Sequence, residues 1–236
     1  MNHITVQTHD PLIKAGGPIL LVGGGDIRRD TLLSLAAQTS ALVAADGGAL
    51  ALLDCGLTPD AVIGDLDSLP RRAQESIGQD RIHHISEQDS TDFEKCLHNI
   101  KAPLIWAAGF LGARVDHELA AMTVLARCPG QRCILVGDHD VIALLPPRLT
   151  LNLPAGTRVS LFPLGPVRGE ENGLRWPLAG VDFAPQDRIG TSNEASGGQI
   201  SLRMDAPHML IILPASARGA LQEALLSATE AWPARA

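Results

Sequence analysis

The chain has 236 residues, 45% of them apolar, and a formal net charge of −7. This length allows one large domain or two small ones, and the apolar content is sufficient for a hydrophobic core. The acidic balance argues against general nucleic-acid binding, which usually requires a basic face, but not against ATP, whose charge can be met locally.

The sequence also bears on the cellular compartment. No stretch approaches the ~20 apolar residues of a membrane helix, and residues 1–17 lack the continuous apolar segment of a signal peptide. The cysteines form no CxxC pair, which favours buried thiols in a reducing compartment. We therefore expect a cytoplasmic protein without a membrane partner.

Residues 18–145 alternate short apolar runs with helical patterns. Strands are predicted at 18–22, 41–45, 61–63, 82–85, 103–108 and 132–136. Helices are predicted at 31–38 (with Asp30 as the N-cap), 49–55, 70–77, 92–100 and 116–128. Alternation at this spacing predicts an α/β domain with a doubly wound, mainly parallel sheet.

The pattern changes near residue 146. Short runs punctuated by glycine, proline and asparagine follow, at 149–153, 158–162, 173–176, 199–204 and 209–213. They predict a second domain, residues 146–236, built as a compact antiparallel β-sandwich or roll. A terminal helix is predicted from Ser216 to about Trp232.

Two predicted strand ends carry residues that could contact a ligand. The glycine triplet at 23–25 fits a plain turn and a phosphate-binding loop equally well, because it matches neither GxGxxG nor a Walker A loop. Asp46 ends the next strand, and a residue there points into the crevice where α/β sheets bind ligands.

Two acidic segments predict a magnesium–phosphate site. Asp65 and Asp67 lie two residues apart in a glycine-led loop, where their carboxylates would repel each other without a cation. Turn chemistry alone would also explain such residues. Thr91 has capping-box spacing, so it should begin a helix with Asp92 in the first turn and Lys95 one turn on. A helix N-terminus, an aspartate and a lysine together suit metal-bound phosphate.

Arg114 and Asp116 follow a later predicted strand end. A surface ion pair of little energy is the alternative, but the position favours a role in the site.

Four segments, in this order, resemble thiamine pyrophosphokinases, and residues 190–194 resemble the C-terminal half of that family. The four are 45–49 (ADGGA), 63–68 (IGDLDS), 88–95 (QDSTDFEK) and 109–117 (GFLGARVDH). The resemblance extends from about residue 18 to about residue 213. Leu50 and Ala121 depart from the family pattern, which has asparagine at both positions.

The resemblance implies transfer of the terminal diphosphate of ATP to the hydroxyl of thiamine, giving thiamine diphosphate and AMP. It implies magnesium as the cofactor, with Asp65, Asp67 and Asp92 as its ligands. Arg114 would bind the diphosphate in transit, and Asp116 would hold the acceptor or take its proton. The residues implied for nucleotide and phosphate binding are Asp46, Gln88, Asp89, Thr91, Lys95 and Gly112, and Asp46 is a candidate for either a nucleotide or a metal contact.

The resemblance also implies a thiamine pocket in the C-terminal region, with Trp176, Ser192 and Asn193 as contacts. The indole could stack on the thiamine rings, although a core aromatic of a small sandwich is the alternative. The family consists of homodimers, so each pocket could combine the acidic crevice of one subunit with the β domain of the other.

Two other functions remain open at this stage. One is a diphosphokinase for another hydroxymethyl heterocycle, such as a pterin. The other is a non-catalytic nucleotide sensor, which would bind ATP without releasing AMP.

Overall fold

The computed structural model describes residues 10–178 and 180–234. Within them, the helices are α1 (Arg29–Ala36), α2 (Gly48–Asp54), α3 (Arg71–Ile77), α4 (Asp92–Asn99), α5 (Val115–Arg127) and α6 (Arg218–Ser227). The strands of the first half are β1 (Ile13–Lys14), β2 (Ile19–Val22), β3 (Ala41–Ala45), β4 (Ala61–Gly64), β5 (Ile82–His84), β6 (Ile100–Lys101), β7 (Ile105–Ala108) and β8 (Cys133–Val136). Those of the second half are β9 (Asp140–Leu144), β10 (Arg148–Leu153), β11 (Arg158–Pro163), β12 (Val167–Asn172), β13 (Asp182–Phe183), β14 (Gly190–Glu194), β15 (Gly198–Met204) and β16 (Met209–Pro214).

A ten-stranded sheet forms the centre of the protein, in the order β14-β11-β16-β9-β8-β7-β2-β3-β4-β5. The strands from β8 to β5 pair in parallel, as predicted for a doubly wound sheet. Their apolar runs are buried along their whole length in β2, β4, β7 and β8, because helices cover both faces of a parallel sheet. The α/β class is therefore confirmed.

The second half of the chain adds antiparallel strands to both sides of one core. β9, β16, β11 and β14 extend the central sheet, and β10, β15, β12 and β13 form a separate four-stranded sheet. Alternate residues of β10 face inward, and Leu149, Leu151 and Leu153 share a hydrophobic cluster with Leu161 and Ile211 of the central sheet. This packing of two antiparallel sheets confirms the predicted sandwich.

The division into domains 18–145 and 146–236 stays a prediction. The hydrogen bonds of the central sheet continue across it, since β9 pairs with β8 on one side and with β16 on the other. No helix in the described part of the chain is long and apolar enough to cross a membrane.

Several predicted elements differ in detail. Arg28, not Asp30, is the N-cap of α1, and Asp30 lies in the first turn, where a negative charge favours the helix dipole. Residues 173–176 form no strand: Leu174 makes an isolated bridge, and the strand is the preceding β12. β12 has a mostly polar sequence, so the pattern of apolar residues did not predict a strand there.

Two helices, α5 and α6, also differ from what the sequence predicts. α5 buries Val124 and Leu125, whereas Leu119, predicted at a regular apolar spacing, is 59% exposed. α6 ends at Ser227, before Trp232, whose Nε1 instead donates to the Leu145 carbonyl at 2.7 Å.

Candidate active site

A cavity of about 730 Å³ opens where β2, β3, β4 and β7 end. The carboxyl edge of a parallel sheet is the usual binding position in doubly wound folds. Loops from several strands meet there, and the glycine triplet at 23–25 is among them. The predicted site residues that line this cavity are Asp46, Asp65, Gln88, Thr91, Asp92, Lys95, Arg114 and Asp116.

Asp46 is the most buried acidic group of this cavity. It directly follows β3 with a left-handed backbone (φ 42°), and its side chain is almost fully buried. Oδ2 accepts a hydrogen bond from the Ser68 amide at 3.1 Å, whereas Oδ1 has no partner among the described residues. Burial raises the pKa of this carboxyl above its ordinary value. A buried carboxylate oxygen without a partner is costly, which indicates that a ligand is missing.

Three carboxylates converge beside this oxygen. Asp46, Asp65 and Asp67 each offer an oxygen within 4.8 Å of the other two. Gln88 donates to Asp65 at 3.0 Å and lowers its pKa, and the Ser68 hydroxyl donates to Asp67 at 2.8 Å. An all-oxygen, anionic set of this kind fits a hard divalent cation such as magnesium.

Gly64 permits this convergence. A Cβ at Gly64 would lie 3.0 Å from the Cβ of Asp46 and 3.1 Å from Oδ1 of Asp92. Only glycine therefore fits without moving one of the two aspartates. Leu66 then takes a left-handed conformation (φ 64°), which turns the loop between Asp65 and Asp67.

The N-terminus of α4 borders the same cavity. Thr91 accepts from the Glu94 amide at 3.3 Å, so the predicted cap is confirmed. Lys95 is buried, and its Nζ lies 3.1 Å from Oδ1 of Asp92. Asp92 is outside the group of three close carboxylates and forms an ion pair with Lys95. Its role as a metal ligand stays a prediction, whereas Asp46 takes its place in the close group.

Glu87 organises the loop before α4 and was missed in the sequence. Its carboxylate accepts from the amides of Asp89 and Ser90, at 2.9 and 3.1 Å, and from the Ser90 hydroxyl. These bonds lower the pKa of Glu87, with the Ser90 hydroxyl as the largest cause. Asp89 contributes its amide to this turn and does not line the cavity.

Arg114 and Asp116 form a two-pronged ion pair at the cavity rim. Nε and Nη2 of Arg114 lie 3.1 and 2.6 Å from the two Asp116 oxygens, and both side chains are largely exposed. The pair raises the pKa of Arg114 and lowers that of Asp116. Gly112 does not line the cavity; its φ of 97° lets its amide donate to Glu118 at 2.8 Å, which shapes the loop before α5.

The residues predicted for thiamine lie in a different cavity, of about 360 Å³. Asn193 is buried and exchanges two hydrogen bonds with the Trp176 backbone, at 3.1 and 2.8 Å. The Ser192 amide donates to the Ser160 hydroxyl at 3.0 Å. Trp176 is 49% exposed, with the Arg175 guanidinium 4.8 Å from its ring centroid, so it is not a core aromatic.

Other cavity residues escaped the sequence interpretation. Phe110 packs against Phe93 with ring centroids 4.4 Å apart, and both line the cavity together with His117. Leu50 and Ala121, the two departures from the family pattern, line it as well. All five lie in or near the segments that carry the family resemblance, but that resemblance gave none of them a role in the site.

Comparison with known proteins agrees with this geometry. A family model described as "Thiamin pyrophosphokinase, catalytic domain" matches residues 32–136. A second, "Thiamin pyrophosphokinase, vitamin B1 binding domain", matches residues 148–209. The first match ends, and the second begins, near the change from parallel to antiparallel strands in the central sheet.

Curated relatives carry the same description. Thiamine pyrophosphokinase 1 of Arabidopsis thaliana is 30% identical over 167 residues, which is 63% of this chain and 62% of the relative. Thiamine pyrophosphokinase 3 of Oryza sativa subsp. japonica is 33% identical over 154 residues, 57% of this chain and 58% of the relative. The chain thus matches about three fifths of the length of these relatives.

Solved structures share the fold. Thiamin pyrophosphokinase from Candida albicans superposes with a TM-score of 0.71 at 19% identity, over 89% of this chain and 94% of that one. The enzyme from Geobacillus thermodenitrificans gives 0.69 at 24% identity, over 84% and 96%. Because the two family models together match more than half of the residues, the chain belongs to the thiamin pyrophosphokinase family.

Proposed function

We propose that this protein transfers the terminal diphosphate of ATP to the hydroxyl of thiamine in a magnesium-dependent reaction, giving thiamine diphosphate and AMP. The observation that carries the proposal is a cavity in a chain of this family that is lined by Asp46, Asp65 and the capped N-terminus of α4 with Lys95. Asp67 completes a group of three close carboxylates beside it.

The α4 end of the cavity suits the phosphates of ATP. The first amides of a helix point at an anion bound there, and the macrodipole favours its negative charge. Lys95 adds a buried ammonium group that Asp92 holds in position. The Lys95 side chain therefore loses little further conformational entropy when phosphate binds. The glycine triplet at 23–25 leaves the opposite wall free of side chains, so backbone can approach the nucleotide closely.

The acidic group suits the cation that accompanies ATP. Asp46, Asp65 and Asp67 would hold it, with Asp92 beside them across Gly64. When bound, magnesium would neutralise charge on the phosphoryl oxygens and orient them. The hydrogen bonds from Gln88 and Ser68 hold the carboxylates in place before the cation arrives.

The transfer itself forms a bond from the thiamine hydroxyl oxygen to the β-phosphorus, breaks the bond to the α–β bridging oxygen and releases AMP and the hydroxyl proton. Arg114 lines the cavity, and its planar fork would suit the oxygens of the migrating diphosphate. Asp116 orients that fork, and its lowered pKa makes it a weak base for the proton. Positioning and electrostatics supply most of the acceleration in such transfers.

The distance between the two cavities favours a homodimer. β14, which carries Ser192 and Asn193, lies seven places from β3 in the central sheet. At ~4.8 Å per strand, Asp46 is about 34 Å from β14 along the sheet, and β7, the strand of the acidic cavity nearest to β14, is about 24 Å from it. Both separations exceed what thiamine can span. A thiamine bound at Trp176 therefore needs the acidic cavity of another subunit.

Exposed apolar side chains lie where such a contact would form. Val115 and Leu119, 71% and 59% exposed, stand on α5 beside the acidic cavity. Trp176 and Ile189, 49% and 44% exposed, border the second cavity. Packing the first pair of one subunit against the second pair of its partner would bury both patches and complete two sites.

The direct test is to incubate the protein with ATP, magnesium and thiamine and to separate the products by chromatography. We expect AMP and thiamine diphosphate in equal amounts, and neither product from the Asp65→Asn, Asp67→Asn double variant. A hydroxymethyl pterin serves as the control acceptor. Release of AMP with the pterin but not with thiamine, or ATP binding without AMP release, would contradict the proposal.

Asp46→Asn tests the cation site through stability. Burial disfavours the charged form of Asp46, so without divalent cations the variant should be as stable as wild type or more stable, by up to about 1–3 kcal/mol. Magnesium should stabilise wild type but not the variant. Chemical denaturation in chelator and in magnesium measures both, with exposed Asp138→Asn as the control. Equal stabilisation of all three proteins by magnesium would remove Asp46 from the ligand set.

Arg114→Lys tests the bidentate role at the rim. The change keeps the charge but loses the planar fork, so kcat should fall by at least about tenfold. Arg168→Lys is a matched control, because Arg168 makes the same kind of exposed two-pronged pair with Asp182, at 2.7 and 3.0 Å, on the second sheet. Equal, small effects of the two changes would make Arg114 an ordinary surface residue.

A mixed dimer tests the shared site. One subunit carries Asp65→Asn and Asp67→Asn, and the other carries Trp176→Ala. The two subunits are co-expressed with different affinity tags, and the mixed dimer is purified through both tags in turn. Each parent dimer should be nearly inactive at low thiamine, whereas the mixed dimer should recover about half of wild-type activity from its one intact site. In the control dimer, the second subunit carries Leu226→Ala, a change of an exposed side chain, in place of Trp176→Ala. Absence of recovery, or a fully active monomer, would place both substrates within one chain.

A further inference from the structure

We propose that Glu94, His98 and Cys128 form a second metal site, for a zinc-type cation, separate from the acidic cavity. One potential ligand atom from each residue lies within 4.8 Å of the other two. None of the three lines the acidic cavity. A carboxylate, an imidazole and a thiolate form a donor set typical of zinc, whereas magnesium takes oxygen ligands.

The fold builds this cluster from two helices. Glu94 and His98 are four residues apart in α4, so their side chains lie on the same face of the helix. Cys128 is the C-cap of α5, which contacts α4. The site therefore joins one face of α4, from Glu94 in its first turn to His98 in its last, to the C-terminal end of α5.

An unsatisfied buried oxygen is the independent reason to expect a cation here. Glu94 is 3% exposed, and its Oε2 has no hydrogen-bond partner in the part of the chain that the structure describes, whereas Oε1 lies 3.0 Å from Nε of Arg127. Within the described residues, the buried side-chain oxygens or nitrogens that lack a partner are this atom and Oδ1 of Asp46. Each belongs to one of the two clusters with metal-ligand spacing. Because such an atom is costly, a cation at each cluster accounts for both.

The burial of the three residues suits a site that is open on one side. Glu94 and Cys128 are buried, and His98 is exposed, so an ion can arrive from the His98 side. Zinc bonds of about 2.0–2.3 Å place tetrahedral ligand atoms about 3–4 Å apart, which is compatible with ligand atoms that lie within 4.8 Å of one another. Rotation of the exposed imidazole can adjust its position to the ion. Water would take the fourth position, and Arg127 would keep the Glu94 carboxylate oriented.

Cobalt binding provides a specific readout. Metal-free full-length protein is titrated with Co²⁺ in excess magnesium, which occupies all-oxygen sites. A thiolate bonded to Co²⁺ gives a charge-transfer absorption in the near ultraviolet that an all-oxygen site cannot give. We expect this band to saturate at one Co²⁺ per chain and to disappear when Zn²⁺ is added.

Two variants test the ligands. His98→Ala changes an exposed side chain, so the protein should fold and lose at least about 100-fold in Co²⁺ affinity, more than the loss of a residue that only orients a ligand. Cys128→Ser should remove the charge-transfer band. Exposed His139→Ala is the matched control and should bind like wild type.

The contrary results are equally clear. No charge-transfer band in wild type would overturn the proposal. A band that survives His98→Ala with unchanged affinity would also overturn it, because His98 would then not be a ligand. If Cys128→Ser does not fold, His98→Ala against His139→Ala decides alone.

Discussion

The close packing of Gly64 against two aspartates is the constraint on which the acidic cavity depends. The backbone at Gly64 fills the space between Asp46 and Asp92, so the loop after β4 must enter between two carboxylates. Such crowding of negative charge is unfavourable unless cations balance it. Lys95 balances Asp92 within the chain. Oδ1 of Asp46 has no hydrogen-bond partner among the described residues, and a bound cation would satisfy it.

The order of strands in the central sheet has an equally direct consequence for function. The parallel part brings its strand ends, and with them the acidic and glycine loops, to one edge. The antiparallel part carries the Trp176 cavity toward the opposite end of the same sheet. A rigid, continuous sheet cannot fold back to bring the two together. The proposed homodimer would instead bring the Trp176 cavity of one subunit to the acidic cavity of its partner.

The two clusters with metal-ligand spacing differ in the chemistry of their donors. The first is anionic and all-oxygen, beside a helix N-terminus that suits phosphate. The second combines oxygen, nitrogen and sulfur between α4 and α5, with one exposed ligand. Hard cations with substrate phosphates favour the first, and borderline cations favour the second. α4 carries residues of both, with Lys95 directed to one and Glu94 to the other.

Local patterns in the sequence were enough to predict the α/β class, the sandwich, the Thr91 cap and the family, because apolar periodicity and capping act over a few residues. Tertiary structure alone decided that Asp46 joins Asp65 and Asp67, while Asp92 pairs with Lys95. It also decided the exposure of α5 and the separation of the two cavities. These features depend on strand order and on contacts between residues far apart in the chain, which no short-range pattern encodes.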